Sequence, residues 1–167
     1  MMLAVFMAGL IAVTGLPGGF EQATWGMTVE ELKKVAAVEK VDLEEGFNYA
    51  EHMEEDPEVY ARTTDQHERI EYYFFEGKLY KIFIIYDRIL FHTRFYDRLT
   101  EEVKDRYGSP KEAYMEQLFD LPIQHTLWED GTSTLDLRKG AGFIYQVRIN
   151  KAAAQKKTHA QQKRKGI

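Results

Sequence analysis

The chain has 167 residues, 44% of them hydrophobic and 13% aromatic, enough to fill the interior of one domain and too apolar for a disordered chain. It carries 27 acidic against 22 basic side chains and no cysteine, which excludes disulfides, thiolate metal sites and cysteine nucleophiles. Six of the bases fall in residues 151–167, so residues 1–150 set 16 bases against 27 acids, and an acidic body argues against nucleic acid as a partner.

Residues 3–13 are an uninterrupted apolar run, closed by Thr14-Gly15-Leu16-Pro17-Gly18-Gly19. The run suits a signal-peptide core and falls short of the roughly 20 residues of a membrane-spanning helix. No Lys or Arg precedes it and no clean small-x-small site follows, so an uncleaved anchor and a buried first element stay open beside export. The expected organisation is a signal peptide or N-terminal apolar segment over 1–20, a single α+β domain over 21–150 and a basic tail over 151–167. The expected location is periplasmic or secreted, with membrane anchoring as the alternative.

Thr28 with Glu31 three residues on makes a capping box, and Met27 with Leu32 a hydrophobic staple. Glu30 and Glu31 also suit the positive end of the helix dipole. A helix is expected over about 29–38, burying Leu32, Val35 and Ala36. Residues 42–58 then hold eight acids and no base, with Phe47 and Tyr49 alternating as in a strand and Asp56-Pro57 marking a turn.

Residues 70–75 and 79–86 read as a hairpin about Glu76-Gly77-Lys78. A three-residue loop pairs Phe75 with Leu79, Tyr73 with Lys81 and Glu71 with Phe83. One face then holds Ile70, Tyr72, Phe74, Tyr80, Ile82 and Ile84, and the other holds Glu71, Tyr73, Phe75, Leu79, Lys81 and Phe83. A two-residue loop would divide Glu71 and Lys81 between the faces, so patterning favours the longer one.

Phe95, Leu99, Val103 and Tyr107 recur at helical spacing with Tyr96 alongside, bounded by Thr93 as cap and Gly108 as stop. Strands follow at 112–117, 125–129 and 133–138, the last two flanking an Asp130-Gly131 turn, and a final strand at 143–149. The fold class is therefore α+β: an antiparallel sheet with two main helices packed on one face, in two helix-then-strands modules. Residues 150–167 could extend as a helix but show no apolar stripe, so fraying or disorder is expected of this tail, whose bases could touch anionic lipid.

The Gly-Met-Thr-x-x-Glu-Leu stretch at 26–32 resembles the helix start of BamE/SmpA-like and β-lactamase-inhibitor-protein-like small envelope domains. The helix-then-strands order over roughly 25–150 is similar to the two-module inhibitors. The chain lacks the lipobox cysteine of the BamE pattern and has a longer sheet region. The resemblance implies an envelope location and protein binding, and carries over no catalytic residue.

Chemistry is sparse in the motifs. Ser109 sits in a helix-terminating Gly-Ser-Pro and Ser133 beside a turn, so no nucleophile elbow forms. The five histidines share no ligand spacing and read as isolated surface or turn residues; His52 among the acids of 51–56 is the most defensible metal idea, and a solvated loop the better one. Gly140-Ala141-Gly142 precedes a strand, which fails the context of a phosphate loop. Trp25 and Trp128 read as core anchors. No catalytic residue, metal or cofactor is assigned.

Tyr73, Phe75, Leu79, Lys81 and Phe83 are left as the candidate partner-binding surface, because rigid aromatics dominate binding hot spots. The leading expectation is a non-enzymatic envelope protein that binds a protein partner through this sheet face. A small apolar ligand-binding domain comes second, and an enzyme third.

Overall fold

The computed structural model describes residues 15–41, 58–65, 67–86, 94–118, 120–140 and 142–166. The apolar run at 3–13, the strand about Phe47 and Tyr49, the Asp56-Pro57 turn, His52, His92 and Thr93 lie outside them.

In chain order the elements are β1 (Gly19–Phe20), β2 (Ala23–Thr24), α1 (Val29–Val35), β3 (Glu39–Lys40), β4 (Glu58–Arg62), β5 (His67–Phe75), β6 (Lys78–Tyr86), α2 (Phe95–Tyr107), β7 (Glu112–Leu118), β8 (Leu121–Glu129), β9 (Ser133–Gly140), β10 (Phe143–Asn150) and α3 (Lys151–Lys165). β1 and β2 pair with each other. The other eight form one antiparallel sheet in the order β3-β4-β5-β6-β10-β9-β8-β7. Each half is thus a helix followed by four strands in sequence order, and the halves meet where β6 pairs with β10.

α1 starts as its sequence dictates. Thr28 Oγ1 accepts from the Glu31 N–H at 3.2 Å, and Glu31 Oε2 accepts from the Thr28 N–H at 2.7 Å. The helix stops at Val35, shorter than expected, and leaves Val35 38% exposed while burying Leu32. α2 ends at Gly108, whose φ of 84° suits glycine and whose N–H reaches Lys104 O. Its capping position is Arg94, which makes no side-chain cap bond. α1 and α2 lie over the same face of the sheet, against Ile70, Tyr72, Ile82, Ile84, Leu135 and Leu137. Trp128 anchors that core, its Nε1–H donating to Gly108 O at 2.9 Å, and the half-buried Trp25 donates to Ser133 Oγ.

The β5–β6 hairpin corrects the expected loop. Phe75 pairs with Lys78 across a two-residue turn, Glu76-Gly77, with φ of 50° and 70°. Positive φ at both positions matches the turn to the twist of the strands. A bulge then places Phe74 opposite Leu79 and Tyr73 opposite Lys81, with Tyr80 as the extra residue. The bulge restores the pairing of Glu71 with Phe83 that the longer loop was invoked to give. Its consequence is an exchange: Leu79 packs on the helix side and Tyr80 on the other.

The β8–β9 turn, by contrast, is longer than the two residues expected. Glu129 pairs with Thr134, and the Asp130 carboxylate accepts from the Thr132 and Ser133 N–H groups, both at 2.7 Å. The tail, expected to fray, forms α3. Asn150 caps it, and Ala153 and Ala154 pack against the second face of the sheet. Lys151 reaches Glu129, Lys156 pairs with Glu76, and Lys157 donates to Tyr80 OH at 2.7 Å. β7 ends the sheet with Met115 62% exposed.

Candidate functional site

The five residues nominated from the sequence do not form an open platform. Tyr73, Leu79, Lys81 and Phe83 are each at most 3% exposed, Phe75 is half-buried, and Leu79 faces the helices. Tyr73 and Phe83 pack with Val59, Tyr80, Ile85 and Val147, and partly buried Val41, Tyr145, Ile149, Ala153 and Ala154 close around them. The charges on this side are engaged. Arg69 Nε donates to Glu71 Oε1 at 2.6 Å, Tyr73 OH donates to Glu71 Oε2 at 2.7 Å, and Lys81 Nζ sits 4.2 Å above the Tyr73 ring.

Two histidines read as surface or turn residues are buried. His125 lies between carboxylates: Nδ1 is 3.0 Å from Asp136 Oδ2, and Nε2 is 3.1 Å from Glu116 Oε2 but out of line for a hydrogen bond. Tyr114 stacks on its ring at 4.5 Å and Arg138 Nε binds the same Asp136 oxygen. This is a packed charge cluster on the outer strands. No group of three His, Cys, Asp or Glu among the described residues is arranged to hold a metal.

His67, the other, opens on a cleft of about 540 Å³ between α2 and the sheet, within the usual range of small-molecule sites. The roof is the stripe of α2 read from the sequence: Phe95, Leu99, Val103 and Tyr107, all half-buried, so the helix covers the sheet without sealing against it. Only Tyr96 of α2 is fully buried, its OH 2.7 Å from Thr126 Oγ1 and donating to Leu137 O. Phe20 and Glu21 of the β1–β2 hairpin form one wall.

The floor comes from β5, β6 and β10. Arg148 donates from Nη1 to Gly19 O at 2.8 Å, and from Nε and Nη2 to Gln146 Oε1 at 3.2 and 3.1 Å. Its guanidinium lies 4.8 Å from the Phe20 ring centroid. Tyr86 OH also points to Gln146 Oε1, at 3.4 Å. His67 Nδ1 is 2.9 Å from Thr64 Oγ1, and its ring packs edge-on to Phe20 and tilted against Tyr86.

Burial sets the protonation of this floor. It lowers the His67 pKa, helped by Arg62 and Arg148 and opposed by Glu21. It pushes the Tyr86 phenol up to about 12, so Tyr86 stays protonated. It lowers Arg148, and Arg106 on the rim acts in the same direction. The wall carboxylates have other partners: Glu21 pairs with Arg62, and Glu102 lies 3.5 Å from Arg98. Arg106 and Arg148 make no ion pair among the described residues.

Sequence reasoning found the roof and missed the floor. In β10, Phe143, Tyr145, Val147 and Ile149 alternate with Ile144, Gln146, Arg148 and Asn150. Alternation sets Gln146 and Arg148 on one face, which would be solvent in an edge strand. α2 lies over that face. A polar pair on a strand that proves to be interior is the signal that was available.

No curated protein and no solved structure gives a significant match to the chain. The model of the TP0088 domain family matches residues 18–158, a span that runs from the first hairpin into α3 and contains every lining residue of the cleft from Phe20 to Arg148, and the chain belongs to that family.

Proposed function

We propose that this protein is a non-catalytic binding domain that takes a small, largely apolar molecule in the cleft between α2 and the sheet. The observation that carries the reading is the half-buried stripe Phe95, Leu99, Val103 and Tyr107 standing over an open volume. Apolar side chains left partly wet on a helix of the core gain when a ligand displaces that water. The Tyr73–Phe83 side is not the binding surface in this reading, because its rings are already covered. The polar floor suits holding rather than reacting: Tyr86 keeps its proton, His67 is turned to Thr64, and both wall carboxylates are tied to arginines.

The apolar run at 3–13 and the resemblance of the Gly26–Leu32 helix start to small envelope domains support placing this role in the cell envelope. Fractionation with N-terminal sequencing checks that part; a full-length cytosolic protein starting at Met1 overturns it. Three of the six tail bases, Lys151, Lys156 and Lys157, are bound to the protein's own groups, which weakens the tail as a lipid contact.

Titration with the neutral fluorophore N-phenyl-1-naphthylamine tests the cleft. Saturable one-site enhancement is expected, weakened about tenfold or more in Val103→Glu, which sets a charge against the apolar body of the ligand. The melting temperature should fall by only a few degrees, since Val103 is half-buried. Absence of saturable binding, or equal binding by the variant, overturns the reading.

A further inference from the structure

Resting on the cleft reading, we infer that the ligand carries a single carboxylate, seated on Arg148 at the floor with Arg106 facing it from the rim, and an apolar body lying along α2. A guanidinium has five N–H bonds. Arg148 uses three of them, on Gly19 O and Gln146 Oε1, which leaves one on each terminal nitrogen. A ligand oxyanion can accept from these remaining N–H bonds.

Among the described residues, the acceptors of Arg148 are neutral. The desolvation that lowers its pKa is a cost of holding the cation there, and the attraction of a carboxylate partner offsets part of it. Arg106 adds to it, because two cations facing one cleft repel one another. An anion between them turns repulsion into attraction for both.

The charge of the lining selects the head group. Glu21 is offset by Arg62 and Glu102 by Arg98, which leaves Arg106 and Arg148 as the cations a ligand would meet, with His67 held towards its neutral form. A carboxylate can offer one oxygen to each arginine, whereas a phosphate monoester brings up to two negative charges close to the wall glutamates. The floor supplies further polar contact from the Tyr86 hydroxyl, and the roof supplies Leu99 and Val103 for an alkyl or aromatic body.

Calorimetric titration of the full chain at pH 8 with decanoate, decanol and decyl phosphate tests the assignment. Decanoate is expected to bind about tenfold or more tighter than decanol, as charge-assisted hydrogen bonds allow, and tighter than decyl phosphate. Arg148→Gln should bring acid and alcohol to equal affinity. Because Arg148 also ties down Gly19, the exposed rim variant Arg106→Gln is the safer second arm, expected to shrink the acid-to-alcohol ratio severalfold with an unchanged melting temperature.

Equal affinity for decanoate and decanol, or an unchanged ratio in Arg106→Gln, overturns the head-group assignment while leaving the cleft reading intact. Tighter binding of decyl phosphate also overturns it, in favour of a phosphate head. If none of the three binds, the cleft reading itself fails.

Discussion

The two faces of the sheet carry similar aromatic and aliphatic side chains and end in opposite conditions. On the α3 side Tyr73, Tyr80, Phe83 and Val147 are at most 3% exposed, and charged groups are drawn in with them: Glu71 at 0% and Lys81 at 3%. On the α1 and α2 side the strands are equally buried, yet the stripe of α2 is half-buried and a cleft remains. Filling a face takes complementary side chains as well as apolar ones. α3 brings small alanines and a lysine stem that reach the sheet closely, whereas α2 brings large rings over a floor holding Gln146 and Arg148. A solvated face therefore cannot be inferred from aromatic content, nor a sealed core from a helical stripe.

The largest effect expected from this difference is at Phe83. Phe83→Ala should lower stability by about 3–5 kcal/mol, while Leu99→Ala in the cleft roof should cost only about 1 kcal/mol for its partial burial. Urea denaturation of both variants checks the pair. A small loss at Phe83 would return that face to the surface and dissolve the contrast.

Next is Glu71→Ala, which removes the acceptor of Arg69 and Tyr73 inside the packed face. A loss of about 3 kcal/mol is expected for breaking a buried ion pair, against little change in N-phenyl-1-naphthylamine binding, because the cleft lies across the sheet. Loss of cleft binding without loss of stability would show that the faces are not independent.

The smallest effect is on pH. His67 has a lowered folded pKa, so between that value and its unfolded value near 6.5 the unfolded chain binds more protons. Stability from this group is present above about pH 6.5 and declines as pH falls through the window. His67→Gln should flatten the melting temperature against pH from 7 down to 5 relative to the parent chain. An unchanged slope would show that the cleft floor does not hold His67 neutral.

The legible parts of the fold were those carried by neighbours in the chain. The Thr28–Glu31 box, the Gly108 stop and the strand over 143–149 each state their geometry within a few residues. The hairpin marks the boundary of that legibility. Pairing Tyr73 with Lys81 followed from patterning, but the bulge that exchanges Leu79 and Tyr80 did not, because a short turn plus a bulge and a longer loop give the same pairing further along the strands. For the site, the α2 stripe was visible and its purpose was not. Arg148 was hidden because no local rule tells which face of a strand a distant helix will cover.

By itself the sequence determined the α+β class, the two helix-then-strands halves and, away from the bulge that exchanges Leu79 and Tyr80, which side chains share a face, since helical spacing, caps and strand alternation act over short range. Only the tertiary structure decided what covers each face. It placed β10 at the join of the halves, turned the tail into a helix against Tyr80, and set Arg148 under α2 beside neutral acceptors. Those outcomes depend on contacts between residues far apart in the chain, such as Lys157 with Tyr80 and Arg148 with Gly19, which no local periodicity encodes.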